Sequence, residues 1–288
     1  MRESLGALHV PHNPLRPKGG GFPRTRMISL DLDQMYAWIN GFLWPLFRVA
    51  GLLATIPLLG DAAIPRRIKT AFAVAIAIVI APTLPAMPMV APYSWEGILI
   101  GFKQILIGMA MGVVVRITFA VVQTAGEFIG LQMGLSFASF FDPASGANTA
   151  VLSRFMNNMA LLLLLSLNGH LVVLFGLARS FDILPVSNAP LNINGWGVLF
   201  EWSSQIMTSG MLLALPMIII LLTINLALGI LNRTAQQLSV FAVGFPVTLL
   251  TGLILLMVVL PQAAPFLSRL FDQTYYTMSR LIQQLAGI

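Results

Sequence analysis

The stretch IMTSGMLLALPMIIILLTINLALGIL, Ile206 to Leu231, runs 26 residues without a charged side chain. At a rise of about 1.5 Å per residue it makes a helix about 39 Å long, enough to cross a hydrocarbon core of about 30 Å. The rest of the chain offers little polar surface to shield such a segment from water. Of 288 residues, 57% are hydrophobic and 9% are charged, with a mean hydropathy of +0.87. A soluble domain carries about 25% charged residues. The fold class is therefore an all-α polytopic membrane protein, and a soluble enzyme or a disordered linker is excluded.

Outward from that stretch lie five more hydrophobic zones, at about 37–59, 71–91, 97–122, 155–178 and 245–261. The fourth in chain order, 155–178, is long enough to span, although Asn168 and His170 interrupt it. The others are compromised. Pro45, Arg48 and Pro57 fall in the first, and Pro82, Pro85 and Pro88 cut the second short. Lys103 and Arg116 bracket the core of the third. A charge at the bilayer centre costs about 2.5–3.5 kcal/mol on insertion scales, partly relieved by snorkelling. These zones are either the broken helices of a transporter or helices supported by protein neighbours in an assembly. Residues 262–288 follow a helical amphipathic period (Phe266, Leu270, Tyr275, Met278, Leu281, Leu285) and form a C-terminal tail.

The net charge of +6 sits mostly at one end. Residues 1–26 hold Arg2, Arg16, Lys18, Arg24 and Arg26 against Glu3, among many Pro and Gly residues. We read this basic head as flexible, with Met27 as an alternative start, and residues 27–288 as one membrane domain. No basic patch with interleaved aromatics is present, so nucleic-acid binding is not expected. Loop lysines and arginines divide four against five between the two sides and set no orientation.

Chemistry-bearing motifs are sparse. There is no cysteine, which removes thiolate metal sites, disulfides and cysteine nucleophiles. No phosphate-cradling loop, Gly-x-Ser-x-Gly elbow or His-Glu-x-x-His site occurs. No catalytic, cofactor or metal site is predicted, and His170 reads as a hydrogen-bonded helix-end residue. Gly126, Gly130 and Gly134 line one helical stripe, suited to close packing within the chain or against another subunit; Gly97/Gly101 and Gly108/Gly112 repeat the spacing. Glu127 and Gln132 lie in this apolar neighbourhood, where a carboxylate needs a partner or a proton. That partner is Arg116, a cation of another subunit, or a transported proton. Arg48 and Arg116 read as subunit or headgroup contacts. Met133, Phe137, Phe140 and Phe141, spaced by small residues, form either plain core or a deformable apolar seal.

Several stretches resemble the FliR family of flagellar export-gate proteins, which is related to the SctT-type components of virulence injectisomes. They are Pro57-Leu-Leu-Gly60 with Ile64-Pro-Arg-Arg-Ile-Lys69, then Gly126-Glu-Phe-Ile-Gly-Leu-Gln-Met-Gly134 with Phe141-Asp-Pro143. Leu167-Asn-Gly-His170, Ser180-Phe-Asp-Ile-Leu-Pro185 and Asn232 through Pro246 continue the match, with Gln236 where a proline is expected. The resemblance implies a non-catalytic subunit of the flagellar type III export gate. It would assemble with FliP and FliQ in a helical complex of hairpins, beside FlhB at the cytoplasmic entrance. The place is the flagellar basal body in the bacterial inner membrane, and unfolded export substrates pass in transit. It further implies that Gly134 to Phe141 is the inward loop plugging the resting channel, with Met133, Phe137, Phe140 and Phe141 as gate residues. Gly126, Glu127, Gly130, Gln132, Gly134 and Arg116 would then pack against subunits. The competing readings are an injectisome counterpart, an ion-coupled small-solute transporter using Glu127 and Arg116, and an intramembrane enzyme with His170 as base.

Overall fold

A computed structural model of the chain describes residues 32–57, 64–85, 87–135, 151–234 and 240–288. Within them the chain forms eight α-helices: α1 (Leu32–Thr55), α2 (Arg66–Ile80), α3 (Trp95–Gln132), α4 (Val151–Ser166), α5 (Gly169–Ile183), α6 (Asn194–Ser203), α7 (Gln205–Thr234) and α8 (Val240–Ala286). There is no strand among the described residues. Four helical stretches are long and apolar enough to cross a membrane, or five if the bent α4–α5 pair counts as one. The protein is a polytopic helical membrane protein.

The third zone, expected as a short charge-bracketed segment, is instead part of α3, a single helix of 38 residues, about 57 Å long. Ser94 starts it, its Oγ accepting from the Gly97 amide at 3.0 Å, and Glu96 complements the dipole in the first turn. α3 touches α1, α4, α6, α7 and α8. Two thirds of its most apolar stretch is buried in the chain, against less than a quarter for α7 and for α8. Lys103 therefore does not face lipid alone. Its ammonium donates to the Ser187 carbonyl at 2.8 Å and also to that of Ala189.

Glycine lets α1 lie against α3. A Cβ at Gly108 would meet the Arg48 carbonyl, and one at Gly112 would meet Thr55 Oγ1. Gly51 faces the Ile105 carbonyl from the other side. The close approach supplies dispersion contact where lipid gives apolar side chains no reason to leave it. Further along, Trp202 Nε1 donates to the Val114 carbonyl at 3.1 Å and fixes α6. Thr118 and Thr274 hydroxyls bond at 2.6 Å, and the Phe119 and Phe271 rings tilt together at 6.2 Å, fixing α8.

Two further zones differ from the sequence reading. Zone 155–178 is not one straight span. The chain turns through 69° between α4 and α5, where Asn168 takes a left-handed φ of 55° that Asn tolerates better than most residues. The amphipathic tail, in turn, is no separate helix. It continues zone 245–261 within the 47 residues of α8, straight through Pro261 and Pro265. Each proline removes one backbone donor, and in a helix of this length the remaining ladder carries the structure across.

Candidate functional site

The end of α3 is where the sequence motifs converge. A helix leaves its last carbonyls without intrahelical partners, and here neighbouring helices meet them. Asn225 of α7 donates to the Gln132 carbonyl at 3.5 Å, and Thr248 of α8 donates to the Met133 carbonyl at 3.4 Å. Met133 itself is fully buried. Its side chain lies over Gly252, where a Cβ would come within 2.5–2.7 Å of Cγ, Cε and Sδ. Gly134 then turns the chain with a φ of 80°, a left-handed conformation glycine adopts without steric cost.

The chain re-enters on the same helix. Ser153 of α4 donates to the Gln123 carbonyl at 2.9 Å. Gly126 faces that residue so closely that a Cβ would stand 2.6 Å from Ser153 Cα, and Leu152 covers Gly130. Leu135, just past the end of α3, and Leu152 at the start of α4 both lie against Gly130. Phe137, Phe140 and Phe141 lie outside the described residues.

The remaining singled-out residues are placed as follows. Gly126 and Gly130 pack within the chain, on α4. Glu127 and Arg116, on the same helix, are both exposed in the single chain, and Gln132 is half-buried. Eleven residues of helix put about 16 Å between Glu127 and Arg116, far beyond ion-pair range. The Glu127–Arg116 pair considered from sequence, and the solute site built on it, are not formed. His170 opens α5 as a helix-end residue, but its buried Nδ1 has no hydrogen-bond partner among the described residues, so the expected bond is not seen there. Among the described residues, no three His, Cys, Asp or Glu side chains gather to hold a metal.

Sequence reasoning missed the most elaborate polar cluster. Arg48, expected at a subunit or headgroup contact, is fully buried inside its own chain. Its Nε donates to Gln104 Oε1 at 2.8 Å, one terminal nitrogen to Ser180 Oγ at 2.9 Å, and the other to the Leu184 carbonyl at 2.9 Å. The Phe181 ring lies 3.9 Å beneath the guanidinium carbon. The cation thus ties α1, α3 and α5 together through neutral acceptors and an aromatic face. The usable signal was the rule that an intramembrane charge must find partners, together with Ser180 to Pro185 as a motif of unexplained role.

Comparison with known proteins agrees with the motifs. Residues 39–274 match the family described as Bacterial export proteins, family 1. The chain is 45% identical over 259 residues to the flagellar biosynthetic protein FliR of Escherichia coli (strain K12), covering 90% of this chain and 99% of that protein. Against FliR of Pectobacterium carotovorum the identity is 42%, over 91% of this chain and 100% of the relative. Against FliR of Bacillus subtilis (strain 168) it is 32%, over 86% and 96%. With that extent of agreement along an all-helical, membrane-spanning fold, the chain belongs to family 1 of the bacterial export proteins, the FliR family.

Proposed function

We infer that this protein is a non-catalytic core subunit of the flagellar type III export gate in the bacterial inner membrane. It assembles with FliP and FliQ, lies beside FlhB, and helps line and close a conduit for unfolded flagellar proteins. The observation that carries the gate role is the anchored end of α3. Buried Met133 on Gly252, with Thr248 and Asn225 on the neighbouring carbonyls, gives residues 136–150 a fixed base on which an apolar seal of Phe137, Phe140 and Phe141 can work. Exposed Glu127 and Arg116, with the apolar surfaces of α7 and α8, are left for neighbouring subunits; Gly126, Gly130, Gly134 and Gln132 shape the helix end between them. The mechanism is mechanical: bulky, unbonded side chains block ions at rest and yield when a chain passes.

The test is the native mass of the full chain, purified in mild detergent after co-expression with its own organism's FliP and FliQ. One copy in a defined hetero-oligomer is expected. A monomer or homodimer that ignores both partners overturns the reading. Within the complex, deleting residues 136–140 should preserve assembly and raise ion conductance across a planar bilayer. Unchanged conductance would remove the seal role.

A further inference from the structure

One flank of the molecule carries charges that its own fold leaves unpaired. From Gly112 to Gln132 the exposed residues of α3 are Arg116, Gln123, Glu127 and Leu131. Their spacing puts them on one side of the helix, in a stripe about 22 Å long. α4 lies beside this stripe. The two helices come closest where Gly126 meets Ser153, and Glu127 and Arg154 are the next residue on each. Gln123 Nε2 donates to Asn157 Oδ1 at 3.0 Å. Arg154, one turn before Asn157, therefore stands on the same flank, with Val151 and Asn158 exposed around it. Neither Glu127 nor Arg154 has an ion pair among the described residues.

The composition of this flank selects what covers it. Lipid does not suit it, because Arg116, Glu127 and Arg154 would each cost about 2.5–3.5 kcal/mol at a bilayer centre. Water does not suit it either. Leu131 and Val151, 57% and 71% exposed, stand one turn from Glu127 and Arg154 respectively and would be wetted. Apolar side chains beside charges of both signs are covered best by a protein surface of complementary pattern, apolar on apolar and each ion on its opposite. The sign changes over a short distance, so the flank attracts no polyanion or polycation as a whole. It specifies a register instead.

We propose that the α3–α4 flank is a charge-paired interface for a helix of a neighbouring gate subunit. That helix sets a carboxylate on Arg154, a lysine or arginine on Glu127, and an apolar side chain on Leu131 and Val151. The proposal rests on the export-gate reading and names the chemistry of one contact within it. Glu127 needs a cation from outside, since Arg116 is about 16 Å away along the same helix and Arg154 is not paired with it. Gln123 and Asn157 already bond to each other, which leaves Glu127 and Arg154 as the groups that select the partner. Docking takes both out of water, so they are screened less than surface charges, and removing one strands its opposite number.

The test uses the full chain co-expressed with its own organism's FliP and FliQ and purified in mild detergent through a tag on this chain, with native mass reporting the bound subunits. The wild type should carry its partners. Glu127→Arg and Arg154→Glu should each lower the partner-bound fraction at least about tenfold, because like charges then face each other across the contact. Arg154→Lys should keep most of it. Purified alone, both reversal variants should unfold at the same denaturant concentration as wild type, since neither charge is paired within the chain. The double reversal is the sharper check. It keeps opposite charges at 127 and 154 but opposes both partner charges, so assembly should stay lost. Recovery of assembly in the double variant would assign the two residues to each other and overturn the proposal. Full assembly of both single reversals also overturns it, and a changed ion conductance in those complexes would place the flank on the conduit. A wild-type chain that ignores both partners overturns the export-gate reading itself, and this contact with it.

Discussion

Arg48→Met removes the buried cation and keeps most of the side-chain volume. The loss can be worked from both sides of the contact. Three hydrogen bonds from a charged donor are worth about 1.5–3 kcal/mol each, and a desolvated cation–π contact about 2 kcal/mol. Against these stands the return of a desolvation penalty of several kcal/mol per buried ion. From the acceptor side, Ser180 keeps its hydroxyl bond to the Leu177 carbonyl at 2.6 Å. The Leu184 carbonyl and Gln104 Oε1 are stranded. Each orphan costs about 1–3 kcal/mol. Both routes converge near 4 kcal/mol of destabilisation.

The same geometry orders a series. Arg48→Lys keeps the charge but loses the planar fork and the stacking on Phe181, so it should fall between wild type and Arg48→Met. Gln104→Leu should cost about 2–3 kcal/mol by stranding a charged donor. The double variant should cost less than the sum by at least about 1 kcal/mol, because the residues contact each other. Denaturant unfolding in mixed micelles, followed by tryptophan fluorescence, reads all four; Trp44 sits in the apolar cluster beside Phe181. An Arg48→Met variant within about 0.5 kcal/mol of wild type, the spread of an inert surface change, would refute the reasoning. Strict additivity of the two substitutions would also refute it.

Two further outcomes follow from glycines that a side chain would crowd. Gly108→Leu should abolish the α1–α3 contact and folded yield in detergent, since its Cβ collides with the Arg48 backbone; Gly229→Ala, with nothing within 4 Å among the described residues, should unfold at a denaturant concentration no lower than wild type, since Ala in a helix interior gains about 0.5–1 kcal/mol over Gly. Gly252→Ala should destabilise by about 1–3 kcal/mol through overpacking against Met133, and Met133→Ala in the same chain should recover much of that in the same unfolding assay. If the second substitution adds to the first, Met133 and Gly252 do not share the seam described.

The all-α membrane class was legible because it rests on composition and on one 26-residue uncharged stretch, neither of which tertiary contact can reverse. Gly126 was legible as a close-packing position for a similar reason, a missing Cβ having few other uses at four-residue spacing, but the full stripe was not: among the described residues Gly130 meets nothing closer than 3.9 Å, and Gly134 leaves the helix with a φ of 80°. Helix lengths were not. Lys103 and Arg116 looked like the ends of a span only under the assumption that lipid surrounds it. Once Ser187 and Ala189 carbonyls accept from Lys103, that charge stops marking a boundary. Pro45 misled in the same direction, since it lies inside α1; α8 likewise runs on through Pro261 and Pro265.

The Arg48 cluster shows why such sites escape a linear reading. Its partners lie 56, 132 and 136 residues away in the chain, and none is acidic, so no charge pattern announces them. What the sequence does state is the constraint: a guanidinium inside an apolar zone must be satisfied by protein, by water or by headgroups. The fold satisfies it with protein, by bringing α5 against α1 and α3. That choice has a structural consequence. α1, α3 and α5 are held together by polar bonds that have no equivalent in hydrocarbon, whereas the uncharged segments of α7 and α8 carry no charged side chain to bind them to a neighbour. The polar-locked helices hold their register without lipid, and the apolar hairpin is the part of the molecule whose surroundings can change.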